Sequence, residues 1–329
     1  MKAMVIEQFG EPEVFLEKNL PRPEMKPGHV LIDVRATSVN GVDILIRRMG
    51  PPFLSPDFPA VLHSDVAGVV VEVAPDVKSF EVGDQVYGCA GGLPGMGGAL
   101  GEFMLADASL IAKKPATLSM AEAAALPLVT LTAWEALRER AVAMPGQKIL
   151  VHGGAGGVGH IAVQLASIAG AQVFATVSSQ EKASIAKSLG AIDAIDYRHT
   201  PVSEYVERCT GGLGFDIVFD TLGNENLALS FEAARLNGAV ATTMALGQYD
   251  MTLAHLRGLS LHVIFMLIPL LHNLNRSHHG RVLGEAAKLV DEGKLRPLLD
   301  PRRFAFDEVA KAHRLMESRE HVGKIVLEK

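Results

Sequence analysis

The spacing of hydrophobic residues along the chain changes in character near Ser119. Before Ser119 the apolar runs are short and rich in β-branched residues, and clusters such as Pro27-Gly28 and Gly83-Asp84 separate them. Short runs between turn residues are typical of strands, so this part is predicted to form a small, mostly β, barrel-like domain. Its clearest predicted strands are residues 3–6, 30–34, 66–73 and 103–105.

After Ser119, strand-like and helix-like segments alternate. Ser119 and Glu122 have the spacing of a capping box at the start of a helix. The strands predicted next are residues 148–152, 172–177, 191–195, 215–220, 239–244 and 259–266, with helices between them. This alternation predicts an α/β fold with a doubly wound parallel sheet and helices on both faces. The tail is predicted as helix 281–292, strand 303–306, helix 307–317 and strand 324–328.

The glycine-rich segment after strand 148–152 carries the clearest chemistry. Gly154, Gly156 and Gly159 fit G-x-G-x-x-G between that strand and a helical pattern that stops at Gly170. In this setting the glycines allow a tight turn and close approach of the backbone to a pyrophosphate, which the helix N-terminus receives. A turn without a ligand is the alternative, and the flanking strand and helix favour a dinucleotide site.

The end of the next strand, in the segment FATVSSQEK, distinguishes NADPH from NADH. An NAD site usually places Asp or Glu here on the ribose 2′-hydroxyl, whereas this chain has Ser178 and Ser179, followed by Lys182. Two hydroxyls and an ammonium suit a 2′-phosphate, and Glu181 is expected to lie in the following helix. The alternative for Lys182 is a solvated helix residue.

Composition limits the classes of protein to consider. The 329 residues suggest about two domains, and the 48% of hydrophobic residues can supply sizeable cores. The formal net charge of −6 argues against a nucleic-acid partner. Cys89 and Cys209 are too few for a disulfide framework, which favours a cytoplasmic protein. We expect no signal peptide and no membrane partner, because the N-terminus lacks a long apolar run and stretch 263–271 is too short to span a bilayer.

Essentially the whole chain resembles the medium-chain dehydrogenase/reductase superfamily, and within it the zinc-free quinone oxidoreductase branch that includes zeta-crystallin. The segments that carry the resemblance are MKAMVIEQFGEPEVF, SVNGVDILIRR, FPAVLHSDVAGVVVEVAPDVKSFEVGDQVYG, LPLVTLTAWEAL, HGGAGGVGHIAVQLA and FDEVAKAHRLMESREHVGKIVLEK. The resemblance implies a GroES-like β-barrel catalytic domain over residues 1–120, a Rossmann nucleotide-binding domain over 121–268 and a C-terminal return to the catalytic domain over 269–329. It also implies a homodimer whose nucleotide-binding domains pair edge to edge, and stretch 259–271, long for one strand, is the candidate edge.

The resemblance further implies roles for individual residues. Asn40 and Thr132 are expected beside the nicotinamide as the catalytic pair. The pyrophosphate is expected on the loop from Gly154 to Gly159, at Ala155, Gly156, Gly157 and Val158. The adenosine 2′-phosphate is expected at Ser178, Ser179, Lys182 and Tyr197. Strand ends facing the cofactor are expected at Asn224, Leu246, Gly247 and Phe265. The alternatives are a loop cap for Asn40 and a half-buried strand-end aromatic for Tyr197.

A catalytic zinc ion is not expected. Zinc-dependent relatives use a Cys, a His in a Gly-His-Glu stretch and a third soft or imidazole ligand. Here SVNGVD has no Cys, Ser64 stands where the ligand His aligns with His63 one residue away, and residues 128–132 contain no Cys or His. The four-Cys structural lobe is absent, because Cys89 is alone. A second group, made of His278 and His279 with His272 nearby, is expected in a solvated loop.

The dinucleotide site and the resemblance together imply an NADPH-dependent oxidoreductase that transfers hydride to a quinone or an electron-poor C=C bond. An enoyl or alkenal double-bond reductase is the close alternative. A non-catalytic NADPH-binding protein, such as a sensor or a crystallin-like protein, is the alternative from another class. The protonation step is open between Asn40, Thr132, a water molecule and bulk solvent. The loops at residues 50–59 and 91–101 do not identify the substrate.

Overall fold

The computed structural model describes residues 1–50 and 54–329. Pro51 and Pro52, in the predicted loop 50–59, lie outside the described residues. The chain divides into two compact units: unit 1 comprises Met1–Leu128 and Leu267–Lys329, and unit 2 comprises Val129–Met266. These divisions differ from the domain boundaries expected from the sequence, which follow residues 120 and 268.

Unit 1 contains a mostly antiparallel main sheet and a separate two-stranded antiparallel sheet. Its strands are β1 (Lys2–Val5), β2 (Leu16–Asn19), β3 (His29–Ser38), β4 (Asp65–Val73), β5 (Gln85–Cys89), β6 (Phe103–Asp107), β7 (Ile111–Lys113), β14 (Phe304–Ala305) and β15 (Val326–Glu328). Across the described residues the main sheet has the order β14-β15-β3-β4-β5-β7, with β6 also paired to β3. Because β15 pairs with β3, the last strand of the chain belongs to the main sheet, whereas β1 pairs with β2 in a separate sheet.

The helices of unit 1 lie between its strands along the chain. They are α1 (Gly41–Met49), α2 (Met120–Ala124), α9 (Ile268–His272), α10 (Ser277–Asp291) and α11 (Val309–Ser318). The capping box before α2 is confirmed, since Ser119 Oγ accepts from Glu122 N–H at 3.2 Å and Ser119 N–H donates to the Glu122 carboxylate at 2.9 Å.

One sequence prediction in this unit is wrong. His278 and His279 lie in the first turn of α10 and not in a solvated loop, because the helix begins at Ser277, four residues before the predicted start. His279 is buried, and this burial lowers the pKa of its imidazole to about 4.

Unit 2 contains the predicted parallel sheet. Its strands are β8 (Lys148–Val151), β9 (Gln172–Val177), β10 (Asp193–Asp196), β11 (Phe215–Asp220), β12 (Ala234–Thr242) and β13 (Ser260–Val263). They lie in the order β10-β9-β8-β11-β12-β13, and every neighbouring pair is parallel. This is the doubly wound order, and its direction of winding reverses between β8 and β11, where such sheets bind ligands. The predicted fold class is therefore confirmed.

The helices of unit 2 connect these strands. They are α3 (Pro127–Trp134), which begins in unit 1, α4 (Gly159–Ile168), α5 (Gln180–Ser188), α6 (Val202–Thr210), α7 (Asn226–Ala233) and α8 (Thr252–Leu256). Stretch 259–271 is not one long strand, because β13 ends at Val263 and α9 follows at Ile268. Among the described residues, no helix has the length and apolar character needed to span a bilayer.

Candidate active site

The glycine-rich segment forms the turn between β8 and α4 in unit 2. Gly153 has a φ of 70°, which a residue with a side chain rarely adopts, and it starts the turn. Val158 at the N-cap of α4 offers no side-chain acceptor to the first-turn N–H groups. His160 N–H donates to Gly156 O, and the helix N-terminus with its positive dipole end is suited to bind an anion such as a phosphate.

The three glycines of the motif meet different surroundings. A Cβ on Gly154 would lie 2.5 Å from the Cβ of Ala175, and one on Gly159 would overlap the Gly153 carbonyl oxygen. Packing within unit 2 therefore requires both glycines. A Cβ on Gly156 would approach only the Gly153 carbonyl oxygen, at 3.1 Å, so little in the protein itself demands a glycine there. An open backbone at Gly156 fits a pyrophosphate bound directly against the loop.

Side chains from the neighbouring strands hold the start of this turn. Thr176 Oγ1 accepts from Gly153 N–H at 3.2 Å and lies 3.1 Å from His152 Nδ1, and Thr176 O accepts from Gly154 N–H at 3.1 Å. On the other side, Thr221 Oγ1 donates to His152 O at 2.7 Å. The loop is thus fixed between β9 and β11 before any ligand binds.

The predicted cofactor residues that follow strands of unit 2 lie at the carboxyl end of the sheet. Because all six strands are parallel, the segments that follow them emerge at the same side. The predicted residues that follow a strand are Ser178 and Ser179 after β9, Tyr197 after β10, Asn224 after β11, Leu246 and Gly247 after β12, and Phe265 after β13. The glycine turn, which follows β8, lies at this same carboxyl end of the sheet.

The predicted 2′-phosphate residues lie at the ends of β9 and β10. Val177 and Asp196 are paired across these strands, so Ser178 and Tyr197 follow neighbouring positions. Tyr197 is 54% exposed, so its position also agrees with the alternative of a half-buried aromatic at a strand end. Ser179 has a structural role that the sequence analysis did not assign: it is the N-cap of α5, and its Oγ accepts from Lys182 N–H at 3.2 Å.

A carboxylate lies near this end of the sheet. Asp196 is paired with Arg198 through two contacts of 3.1–3.2 Å, and the hydrogen bonds from Arg198 outweigh desolvation and lower the pKa of the Asp196 carboxyl. Arg198 therefore offsets the negative charge that would otherwise oppose a phosphate.

The strand-end loops beyond the switch point are open to solvent. Asn224 is exposed, with a φ of 51°, and it follows a turn in which Asp220 Oδ1 accepts from Leu222 N–H, Gly223 N–H and Asn226 Nδ2. Leu246 is 59% exposed, and Phe265 is partly buried. Exposed apolar side chains beside a turn fit the surface that a nicotinamide ring would cover.

The predicted catalytic pair belongs to different units. Thr132 lies in the part of α3 that belongs to unit 2, and it is buried. Asn40 lies in unit 1 as the N-cap of α1, and its backbone N–H donates to Asp43 Oδ2 at 2.8 Å. The loop-cap alternative for Asn40 thus describes its backbone, while its side chain meets Asp65 and Lys324 in the interior of unit 1.

Charged groups are concentrated around Asn40. Asp43 is buried, and desolvation is the main cause that raises the pKa of its carboxyl to about 7, against the hydrogen bond from Asn40. Burial lowers the pKa of the Lys324 ammonium, while the charges of Asp65 and Asp43 act in the opposite direction. Sequence analysis singled out none of these three charged residues. A lysine before an apolar run is ordinarily a solvated strand end, so no local signal distinguishes Lys324.

The imidazoles of His63, next to Ser64, and of His313 are paired with each other. His63 Nε2 lies 2.9 Å from His313 Nε2, and its Nδ1 lies 3.3 Å from Thr37 Oγ1, so both ring nitrogens have partners. Among the described residues, no three His, Cys, Asp or Glu side chains come together as ligands for a metal ion. This donor set falls short of the three protein ligands that a catalytic zinc ion requires.

Two known protein families match parts of the chain. The family described as alcohol dehydrogenase GroES-like domain matches residues 26–116, in unit 1. The family described as zinc-binding dehydrogenase matches residues 189–327, which include the later strands of unit 2 and the C-terminal segment of unit 1.

Whole proteins resemble the chain over nearly its full length. It is 36% identical over 336 residues to 2-methylene-furan-3-one reductase of Solanum lycopersicum, covering 99% of this chain and 79% of that protein. It is 34% identical over 341 residues to the chloroplastic NADPH-dependent alkenal/one oxidoreductase of Arabidopsis thaliana, with the same two coverages. The crystal structure of Escherichia coli quinone oxidoreductase complexed with NADPH matches with a TM-score of 0.90 at 25% identity, covering 100% of both chains.

Proposed function

This chain belongs to the medium-chain dehydrogenase/reductase superfamily, and we propose that it is an NADPH-dependent, zinc-free oxidoreductase acting on quinones or electron-poor C=C bonds. The observation that carries the proposal is the glycine turn at the switch point of the sheet, where the backbone at Gly156 is open. The bound nicotinamide would supply the hydride, and the chain's own residues bind and orient the reactants.

The substrate class is supported by the names of the relatives. Two are reductases of a methylene-furanone and of alkenals or alkenones, and one is a quinone oxidoreductase. These acceptors share a carbonyl conjugated to a C=C bond, so each of them can accept a hydride. An enoyl or alkenal double-bond reductase is the close alternative to a quinone reductase.

The choice of NADPH is supported by the charges at the end of β9. Ser178, Lys182 and Tyr197 offer hydroxyl and ammonium groups to a 2′-phosphate, and Arg198 pairs with Asp196 beside them. Ser179 contributes as the cap that fixes the start of α5. The pyrophosphate is assigned to Ala155, Gly156, Gly157 and Val158, flanked by Gly154 and Gly159.

Six residues are proposed to lie at the nicotinamide end of the cofactor. Asn224, Leu246, Gly247 and Phe265 would contact it from the strand ends, and Asn40 and Thr132 would supply hydrogen bonds. Zinc is not required in this proposal, since Ser64 replaces a ligand His and His63 is engaged with Thr37 and His313.

We also propose a cytoplasmic homodimer with no nucleic-acid or membrane partner. The edge strand β13 supports the dimer: it pairs with β12 on one side, and Val263 is 54% exposed. An open strand edge is a ready template for pairing with a second copy. The net charge of −6 agrees with the absence of a nucleic-acid partner.

The proposed function is tested by following NADPH oxidation with three matched acceptors. We expect turnover with a small quinone and with an enone, and none with the saturated ketone of the same carbon skeleton. Product analysis then identifies which acceptor class is preferred. A protein that binds NADPH but oxidises it with neither conjugated acceptor would contradict the enzyme and favour a non-catalytic NADPH-binding protein.

A further inference from the structure

Lys324 enters the interior of unit 1 from the last segment of the chain. It is only 3% exposed, although it lies just two residues before the short strand β15. Gly323 has a φ of 60°, and a Cβ there would overlap the Leu298 carbonyl oxygen. Lys324 N–H donates to that same oxygen at 2.8 Å, so the backbone that carries the side chain is fixed.

The ammonium of Lys324 faces three acceptors. Its Nζ donates to Val39 O at 2.9 Å and to Asn40 Oδ1 through a short contact, and it lies 3.6 Å from Asp65 Oδ2. An –NH₃⁺ group has three donors and no acceptor, so this environment matches its charged form. The lysine is therefore paired and hydrogen-bonded, as a buried charge must be.

The carboxylate of Asp65 is held as firmly. Its Oδ2 accepts from Asn40 Nδ2 at 2.9 Å and from Ser38 Oγ at 2.8 Å, and its Oδ1 accepts from Leu128 N–H at 2.8 Å. Asn40 thus lies between two opposite charges, with the ammonium at its amide oxygen and the carboxylate at its amide nitrogen. A flipped amide would face repulsion at both ends, so the charges determine its orientation.

This orientation has a chemical consequence. An amide nitrogen carries two hydrogens, and Asp65 takes one of those on Asn40. The amide oxygen already accepts from the ammonium, which also polarises the amide and strengthens its remaining N–H as a donor. The side chain can therefore offer a ligand a hydrogen-bond donor and is poorly suited to offer an acceptor.

We propose that Lys324 and Asp65 are positioning residues that fix the Asn40 amide so that its free Nδ2 hydrogen binds the carbonyl oxygen of the hydride acceptor. The inference rests on the proposed function, in which Asn40 lies at the nicotinamide end of the site. A hydrogen bond to this oxygen stabilises the negative charge that develops on it when hydride adds to the conjugated C=C or quinone.

The variant test compares three lysine changes. Lys324→Met removes the ammonium and keeps a side chain of similar length, whereas Lys324→Arg keeps the positive charge. Lys114→Met is the matched control. Lys114 Nζ also donates to main-chain oxygens of unit 1, those of Pro115 and Leu118. We expect Lys324→Met to lower kcat for an enone about 10- to 100-fold, as for loss of one charge-assisted hydrogen bond, with the Kd of NADPH unchanged. Lys324→Arg should recover part of the loss, and Lys114→Met should have no effect. Unchanged kcat in Lys324→Met, or a loss confined to NADPH affinity, would overturn the proposal.

A second measurement follows the unaltered protein and needs no turnover. The Asn40 side-chain amide signals and the side-chain signals of Lys324 are followed by NMR against pH. The Asn40→Ser variant serves only to assign the amide signals. We expect the Nδ2 signals to change with the same midpoint as the lysine, below pH 10.5 because burial lowers the pKa of Lys324. Signals that do not move at the lysine midpoint would refute the positioning role, even if no quinone or enone is a substrate.

Discussion

The Nε2 atoms of His63 and His313 lie 2.9 Å apart, although the two residues are separated by 250 positions in the chain. The hydrogen bonds determine their tautomers. Thr37 Oγ1 uses its only hydrogen to bind Asp65 O at 2.6 Å, so it must accept from His63 Nδ1–H. His63 Nε2 then accepts from His313 Nε2–H. Both rings are neutral in this arrangement. The pair connects His63, which lies next to Ser64, to helix α11, which contains His313.

This histidine pair predicts an acid-labile fold. Burial is the main cause that lowers the pKa of His63 from 6.5 to about 3, and it also lowers the pKa of His313. The unfolded chain binds more protons at these sites, so stability is lost as pH falls from 6.5 towards 3. Asp43 affects the pH dependence of stability in the opposite direction to one histidine, because the pKa of its carboxyl is raised. Its contribution to stability is lost as pH rises from 3.8 to about 7.

The change that tests this linkage is His63→Asn, since Asn tolerates the φ of 71° at this position. The free energy of unfolding is measured by denaturant titration between pH 4 and 8. We expect the slope between pH 4 and 6 to decrease by about 1.4 kcal/mol per pH unit, with a constant difference from the unaltered protein above pH 7. Parallel curves over the whole range would contradict the neutral pair.

The glycine turn predicts different outcomes for two neighbouring glycines. Gly156→Val should abolish nucleotide binding and leave the fold intact, because a side chain there meets mainly the space assigned to the pyrophosphate. Gly154→Ala is the contrasting variant, and it should cost about 1–3 kcal/mol of stability through overlap with Ala175. Nucleotide fluorescence titration and thermal unfolding separate the two effects. If Gly156→Val retains nucleotide affinity, the loop does not bind the pyrophosphate.

Cofactor preference provides a prediction at the other end of the dinucleotide. Lys182→Ala should weaken NADPH binding by roughly 1–3 kcal/mol and leave NADH binding nearly unchanged, since only NADPH carries the 2′-phosphate. Lys187→Ala is the matched control, because this lysine lies on the same helix and pairs with Asp193 at 3.2 Å. Both nucleotides are titrated by fluorescence. Equal weakening of both, or tighter binding of NADH by the unaltered protein, would count against the proposed selectivity.

Local patterns were sufficient to predict much of this fold. The strands Gln172–Val177 and Phe215–Asp220 have the predicted bounds, because each is a short apolar run with turn residues on both sides. The end of β13 within stretch 259–271 could not be predicted in this way. The apolar residues continue from β13 into α9, so they mark no boundary between the two elements. The G-x-G-x-x-G turn was predictable because all of its determinants lie within one strand, turn and helix.

The interior of unit 1 could not be predicted in the same way. Lys324 meets Asn40 across 284 positions, and the partner of His63 lies on a helix near the end of the chain. Such contacts depend on the docking of the C-terminal segment onto β3, for which a single sequence contains no local signal. Ser179 illustrates a subtler limit, because a hydroxyl expected at a phosphate also suits a helix cap.

The proposed dimer predicts that proline has different effects at two adjacent residues of the edge strand β13. Ile264 N–H donates to Thr242 O, so by the two-residue repeat of a strand His262 N–H also faces β12, while Val263 N–H faces the free edge. Val263→Pro should remove an outward donor and convert a dimer to a monomer at micromolar concentration. His262→Pro, which removes an inward donor, should instead destabilise the sheet. Light scattering and thermal unfolding measure both. A monomeric unaltered protein would reject the dimer.

The donor set around Ser64 makes a final prediction about metal dependence. Zinc in a catalytic site needs three protein ligands, whereas the imidazoles of His63 and His313 are bound to each other and Ser64 offers only a hydroxyl. Turnover with NADPH should therefore survive prolonged treatment with a strong chelator, and elemental analysis should find zinc far below one equivalent per chain. His63→Asn should also retain turnover at pH 7, apart from a change in substrate affinity if that side chain lines the pocket. Activity that is lost on chelation and restored by added zinc would overturn the metal-free mechanism and the assignment to the zinc-free branch.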